Sequence, residues 1–150
     1  MERFPIPDSR FPKTRVLAID YGEKRIGLAV SDPTGTIASP AGHIARRAGK
    51  RPPIAALIEQ GAALGAQGFV LGLPLDDRGD DTDRAQEVRR IATELERRTG
   101  LPVLLVDERY TTSAALRAVR TLGGSTRGRR GDVDALAATV LLQHALDAAR

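Results

Sequence analysis

Short apolar runs bounded by turn residues make up the first third of the chain. Residues 15–20 (RVLAID) and 25–32 (RIGLAVSD) are two such runs, separated by the sequence YGEK. Apolar, β-branched runs on either side of a short glycine-containing turn predict a β-hairpin. Turn residues at 33–35 are followed by a predicted third strand near 36–44. The chain therefore begins with three strands that we expect to be antiparallel.

Helical spacing and buried strands alternate in the rest of the chain. Apolar spacing predicts a helix over 52–66, with two prolines in its first turn. The continuous apolar run 68–75 is typical of a strand buried on both faces, and a second such run leads into Asp107 and Glu108. Three further helices are predicted, at about 82–99, 111–121 and 132–150. The order β-β-β-α-β-α-β-α, in which the last α stands for the two helices after the last strand, predicts an α/β fold, a mixed sheet with helices on both faces.

Length and composition limit the classes of function. A chain of 150 residues is expected to form one domain over 15–150, preceded by a flexible tail over 1–14. The absence of cysteine excludes disulfides, thiolate zinc sites and cysteine nucleophiles. We expect a cytoplasmic protein with no membrane segment, because neither a signal-peptide h-region nor a membrane-length apolar run is present.

The charge of the chain favours an anionic partner. The formal net charge is +4 and the sequence pI is about 10.1, which points first to nucleic acid. Aromatic residues make up only 3% of the chain, so side chains on which bases could stack are scarce. This argues against RNA-recognition motifs and oligonucleotide-binding barrels.

Carboxylates occur where strands end and where the last helix begins. Asp20 ends the first strand, Asp107 and Glu108 end the last strand, and Asp132 and Asp134 open the last helix. In open sheets with crossover helices, sites gather at strand carboxyl ends and helix amino ends. Carboxylates that converge there repel each other unless a hard cation such as Mg²⁺ or Mn²⁺ binds them. Two such ions can promote phosphodiester hydrolysis, so the pattern predicts a phosphoryl-transfer site.

The same acids also have ordinary structural explanations. Asp20 could cap a turn, and Glu108 could form a surface ion pair with Arg109. Asp132 and Asp134 fit the capping and dipole preferences of a helix start. The acidic loop 76–83 is expected to be solvated charge rather than a metal site.

Four segments together resemble the YqgF/RuvX family of bacterial ribonuclease H-like proteins related to Holliday junction resolvases. They are IDYGEKRIGLAVSD, GFVLGLPL, VDERYTT and DVDALAATVLLQ, in family order over residues 15 to 147. The resemblance implies a ribonuclease H-like fold with a mixed five-stranded sheet. It also implies a nuclease that uses Mg²⁺ or Mn²⁺, with two ions bound together with substrate, and that acts in maturation of the 16S rRNA precursor.

Position by position, the resemblance implies a catalytic and metal-binding set of Asp20, Glu108 and Asp134. Asp132 stands where the family often has a basic or neutral residue, and it is either a fourth ligand or a helix cap. Lys24, Arg25 and Arg109 match basic motif positions and are expected to contact nucleic acid. The loop after GLP, here LDDRGDDTD, is more acidic than is usual in the family.

A glycine-rich basic loop precedes the last helix. Arg127, Arg129 and Arg130 lie in this loop, directly before the helix that carries Asp134. We expect them to contact the phosphate backbone, which adds affinity without sequence preference and makes binding salt-dependent.

Three alternatives remain open at this point. One is a Holliday junction resolvase-like DNA endonuclease, which would need a symmetric dimer to cut two strands. Another is a non-catalytic nucleic-acid-binding domain of the same fold. A third is a nucleotide-binding module, since IDYGEKRIGLAV also resembles a phosphate loop of the actin and sugar-kinase superfamily, which uses two such domains. For the leading interpretation, the expected partners are the rRNA precursor and small-subunit precursor particles, bound by a monomer or weak homodimer.

Overall fold

The computed structural model describes residues 14–46, 51–110 and 130–149, and only the backbone of residues 110 and 130–133. Several sequence predictions fall outside this part of the chain. They are the tail up to residue 13, the helix at 111–121, the side chain of Asp132, and the contacts of Arg127, Arg129 and Arg130.

The core of the fold is a five-stranded sheet in the order β3-β2-β1-β4-β5. Its strands are β1 (Leu17–Tyr21), β2 (Arg25–Ser31), β3 (Ala38–Ala45), β4 (Phe69–Leu73) and β5 (Val103–Asp107). The pairs β1–β2 and β2–β3 are antiparallel, whereas β1–β4 and β4–β5 are parallel. The predicted mixed sheet is confirmed.

Three helices are described: α1 (Ile54–Ala63), α2 (Asp83–Thr99) and α3 (Arg130–Ala148). Thr82 caps α2 by accepting a hydrogen bond from the backbone N–H of Ala85, and Gly100 ends the helix in a left-handed conformation. Element ends differ from the predicted ones by a few residues. Strand β2, for example, stops before Asp32 because that carboxylate accepts the backbone N–H groups of Thr36 and Ile37 and so closes a turn.

Alternation along β1 separates the two faces of the sheet. Leu17, Ile19 and Tyr21 belong to the apolar core under α1 and α2, whereas Ala18 belongs to the core under α3. Successive side chains of a strand point to opposite faces. Asp20 therefore falls on the α3 face, at the carboxyl end of the strand.

The same alternation shows on which face of the sheet the last residues of β4 and β5 lie. Leu104 and Val106 belong to the core under α3, so Asp107 falls on the opposite face, and Glu108 follows at the strand end. On β4, Leu71 and Leu73 face α1 and α2, which places Gly72 on the α3 face.

Within the described ranges, no helix combines the length and the apolar character needed to cross a membrane.

Candidate active site

A cavity of about 260 Å³ opens where β1 ends and α3 begins. All three carboxylates of the predicted catalytic set line it, namely Asp20, Glu108 and Asp134. The predicted basic contacts Lys24 and Arg25 line the same cavity. The structure thus brings together residues that are more than 100 positions apart in the sequence.

Asp20 lies between two glycines on the α3 face of the sheet. Its cross-strand partner on β2 is Gly27. On the other side, the parallel register pairs Ile19 with Leu71. The next residue of each strand, Asp20 on β1 and Gly72 on β4, therefore lies beside the other. With only 7% of its surface exposed, Asp20 is buried at the base of the site. Each glycine leaves space beside it for another acidic residue.

The backbone of Asp134 occupies the space above Gly27. A β-carbon on Gly27 would lie 2.0 Å from the carbonyl oxygen of Asp134 and 3.1 Å from its Cβ. Real β-carbons are not found that close to backbone atoms, so any larger residue at this position would push α3 away from the sheet. Gly27 therefore allows the first turns of α3 to bring Asp134 against the strand beside Asp20.

The side chain of Glu108 occupies the space above Gly72. A β-carbon on Gly72 would lie 2.5 Å from Glu108 Oε1 and 3.1 Å from its Cγ. Glu108 opens the short 3₁₀ turn Glu108–Tyr110 that follows β5. The glycine on β4 thus lets the carboxylate of Glu108 lie across the neighbouring strand toward Asp20.

Arg25 pairs with one of the three acids. Its Nε donates to Asp134 Oδ2 at 2.7 Å, and 29% and 22% of the two side chains are exposed. A guanidinium beside the carboxylate offsets part of the repulsion within the acidic set. This contact takes up Oδ2 of Asp134, one of the two carboxylate oxygens that a cation could use.

The carboxylates of Asp20, Glu108 and Asp134 are the kind of ligand that binds a hard divalent metal ion. Carboxylate oxygens are the ligands that Mg²⁺ and Mn²⁺ prefer, and three of them line one cavity here. As the side chains stand, no group of three or more acidic or histidine residues within the described part of the chain is arranged to hold a metal ion. The catalytic and metal-binding roles of these residues stay predictions.

Asp107 and Arg109 form a clamp behind Glu108. Asp107 is 1% exposed and accepts from the Nη2 of Arg109 at 2.7 Å, from its Nε and from its backbone N–H. Arg109 also lies against Gly79 of the acidic loop. Its donors thus face Asp107, which fixes the turn carrying Glu108, while the predicted contact of Arg109 with nucleic acid stays a prediction.

A second polar group supports the β1–β2 turn from the α2 side. The Tyr21 hydroxyl donates to Glu87 Oε1 at 2.5 Å, and Arg46 lies over the Tyr21 ring, 4.1 Å from its centroid. Arg46 also donates to Glu87 and to the carbonyl oxygen of Gly22. Burial raises the pKa of Tyr21 well above its ordinary value, and the hydrogen bond to Glu87 raises it further. Tyr21 therefore acts as a hydrogen-bond donor and not as an acid.

The acidic loop forms its own turn. Asp76 accepts the backbone N–H groups of Arg78 and Asp80, both at 2.9 Å. Asp81 pairs with Arg89 through two hydrogen bonds of 2.8 Å. These contacts give Asp76 and Asp81 structural roles within the loop.

Two charged residues at the cavity were missed by the sequence reasoning. Glu23, in the β1–β2 turn, and Arg84, in the first turn of α2, both line it. Glu23 could have been noticed from its place between the predicted motif residues. For Arg84 no signal was available, because only the packing of α2 against the sheet brings it to this rim.

Comparison with known proteins decides the family. The model of the family described as "RuvX: Holliday junction resolvase" matches residues 14–148. The chain belongs to the RuvX family. A Rickettsia bellii member, named "Putative pre-16S rRNA nuclease", is 38% identical over 136 residues, covering 91% of this chain and 88% of its own. A Kineococcus radiotolerans protein of the same name is 42% identical over 135 residues, covering 89% and 72%.

Solved structures place this RuvX protein in a wider fold group. Thermus thermophilus RuvC has a TM-score of 0.55 and 16% identity, with 90% of this chain and 95% of that chain covered. RuvC was also solved in complex with a Holliday junction substrate, with the same TM-score. At this identity the likeness concerns the fold, and the predicted ribonuclease H-like architecture is confirmed.

Proposed function

We propose that this RuvX protein is a divalent-metal-dependent nuclease that hydrolyses phosphodiester bonds in structured RNA, in maturation of the 16S rRNA precursor. The observation that carries the proposal is the lining of one cavity by Asp20, Glu108 and Asp134. The names of the Rickettsia and Kineococcus relatives support the choice of precursor rRNA as substrate.

The positions of the cavity residues suggest which of them bind metal ions and which bind the substrate. Asp20, buried at the base between two glycines, would hold the ions together with Glu108 and Asp134, which lie above those glycines. Ions held by these carboxylates would supply an activated water and stabilise the leaving oxygen. Arg25 holds Asp134 in the folded chain, and its guanidinium would also be placed to donate to a phosphate oxygen of the substrate. Lys24, exposed at the rim, attracts the backbone of the substrate.

Cleavage of a Holliday junction is the second candidate. It is favoured by the description of the matching family and by the fold shared with RuvC. Symmetric cutting of a junction requires two active sites related by a twofold axis. A protein that is monomeric under cleavage conditions would argue against it.

One experiment separates the candidates. Purified protein is incubated with labelled precursor rRNA, a four-way DNA junction and single strands of each, with Mg²⁺ or Mn²⁺, beside an Asp20→Asn control. We expect cleavage of the precursor RNA and none by the variant. Preferential, symmetric cutting of the junction would favour the DNA enzyme instead. Binding without cleavage of any substrate would indicate a non-catalytic domain.

A further inference from the structure

Arg84 is a cationic residue at the acidic cavity whose role the folded chain does not explain. It lines the cavity with Asp20, Glu108 and Asp134, and its side chain is exposed. Its guanidinium makes no hydrogen bond or ion pair with any residue in the described ranges 14–46, 51–110 and 130–149. By contrast, Arg89 on the same helix pairs with Asp81.

The position of Arg84 does not favour its own helix. It is the second residue of α2, after the cap Thr82 and Asp83. The amino end of a helix carries partial positive charge, so an acid such as Asp83 is stabilising there and a cation is not. Since Arg84 gains neither a partner nor a favourable helix position, a contribution to folding does not account for it.

Lys24 lies at the same cavity and has the same property. It is exposed in the turn between β1 and β2, and its ammonium group has no partner within the described part of the chain. The third cation at the cavity, Arg25, is engaged with Asp134. Two cations from two separate elements are thus left at a cavity lined by four carboxylates, those of Asp20, Glu23, Glu108 and Asp134.

The carboxylates by themselves would repel a nucleic-acid backbone. Cations at the rim offset this repulsion and fix the path of the strand, and a guanidinium is suited to phosphate because it can donate two parallel hydrogen bonds. We propose that Arg84 and Lys24 together bind a phosphate of the nucleic-acid backbone next to the one that is cleaved. This inference rests on the proposed nuclease function and adds a second phosphate subsite to the same cavity.

Equilibrium binding without metal tests the subsite. The probe is a fluorescein-labelled RNA hairpin with a single-stranded flank, titrated in EDTA at several salt concentrations. We expect Arg84→Gln to weaken binding about tenfold at low salt. The slope of log affinity against log salt should flatten by up to about one, because one cationic contact with the backbone is lost. Arg84→Lys, which keeps the charge, should restore the slope.

Arg90→Gln is the matched control. Arg90 is an exposed arginine on the same helix, without an ion pair in the described ranges, and it lines a different cavity, between α1 and α2. We expect this variant to bind like the wild type. Equal losses in Arg84→Gln and Arg90→Gln, or no loss in either, would overturn the subsite.

Two further measurements keep the test decisive. Arg84→Gln should melt at the same temperature as the wild type or higher, because a cation leaves the helix start. If this variant does not fold, Lys24→Gln decides, and an unchanged salt slope in that variant would overturn the proposal. Cleavage of precursor RNA by the wild type in Mg²⁺ tests the nuclease function separately, so failure of the subsite and failure of the function are distinguishable.

Discussion

The side chain of Glu108 fills the space that a side chain on Gly72 would need, since a β-carbon there would lie 2.5 Å from Glu108 Oε1. The group in the way is the end of a flexible side chain. Gly72→Ala should therefore displace the carboxylate and leave the fold intact. We expect cleavage of precursor RNA to be lost, with a change in unfolding free energy of about 1 kcal/mol or less. Cleavage at the wild-type rate would show that this position of Glu108 is not needed.

The same substitution at Gly27 should act on the fold instead. Its neighbour is the backbone carbonyl of Asp134, at 2.0 Å from the added carbon, so α3 itself must shift. Overpacking against backbone is expected to cost about 2–3 kcal/mol of unfolding free energy. Urea denaturation of Gly27→Ala and Gly72→Ala side by side checks this. Equal stability of the two variants would contradict the close approach of α3 to β2.

Arg109→Gln should destabilise the protein by about 3 kcal/mol, because it leaves the buried charge of Asp107 without its guanidinium partner. The matched control is Arg97→Gln, which breaks an arginine–carboxylate pair with Glu94 on the exposed face of α2. We expect no measurable change from the control, since exposed pairs contribute little. Similar denaturation curves for both variants would mean that the Asp107–Arg109 clamp contributes no more than a surface pair.

Arg25→Gln should increase the affinity for Mn²⁺ in the absence of nucleic acid. Arg25 holds Asp134 at 2.7 Å, and without it the acids repel each other until a cation binds. A gain of about fivefold is expected from a partly exposed pair, measured by isothermal titration calorimetry. Lys24→Gln removes an equal charge from the same cavity without breaking a pair. An equal gain in Lys24→Gln would attribute the effect to net charge alone.

Asp32 should remain ionised in the folded protein at unusually low pH. Hydrogen bonds from the backbone N–H of Ile37, the hydroxyl of Thr34 and the N–H of Thr36 hold its pKa well below the ordinary value. Its stabilising effect is therefore fully present above pH about 4, where the unfolded carboxyl is also ionised, and declines as the pH falls below that. The stability difference between wild type and Asp32→Asn should shrink in that range. A carboxyl NMR signal for Asp32 that titrates near pH 4 would contradict this.

The site carboxylates could be predicted because their placement follows from strand and helix ends. Asp20, Glu108 and Asp134 each stand where an element ends or begins, and the motifs that contain them resemble one family. The fold class was predictable for a similar reason, since short apolar runs and helical spacing alternate clearly.

The supporting residues could not be predicted, because their roles depend on register and packing. Gly27 and Gly72 matter only because α3 and Glu108 lie over them. The inward position of Asp107 was hidden because β5 is apolar on both faces, which masks the two-residue period. Arg84 reaches the cavity only through the docking of α2.

The most direct test of the proposed nuclease site compares two glutamate substitutions. Glu108→Gln removes a charge from the cavity, whereas Glu59→Gln removes one from an exposed position on α1 that has no partner within the described ranges. Cleavage of labelled precursor RNA in Mg²⁺ is measured for both, with circular dichroism to show that each is folded. We predict that Glu108→Gln abolishes cleavage and that Glu59→Gln cleaves like the wild type. Full activity in Glu108→Gln, with contaminating nuclease excluded, would contradict the proposed site.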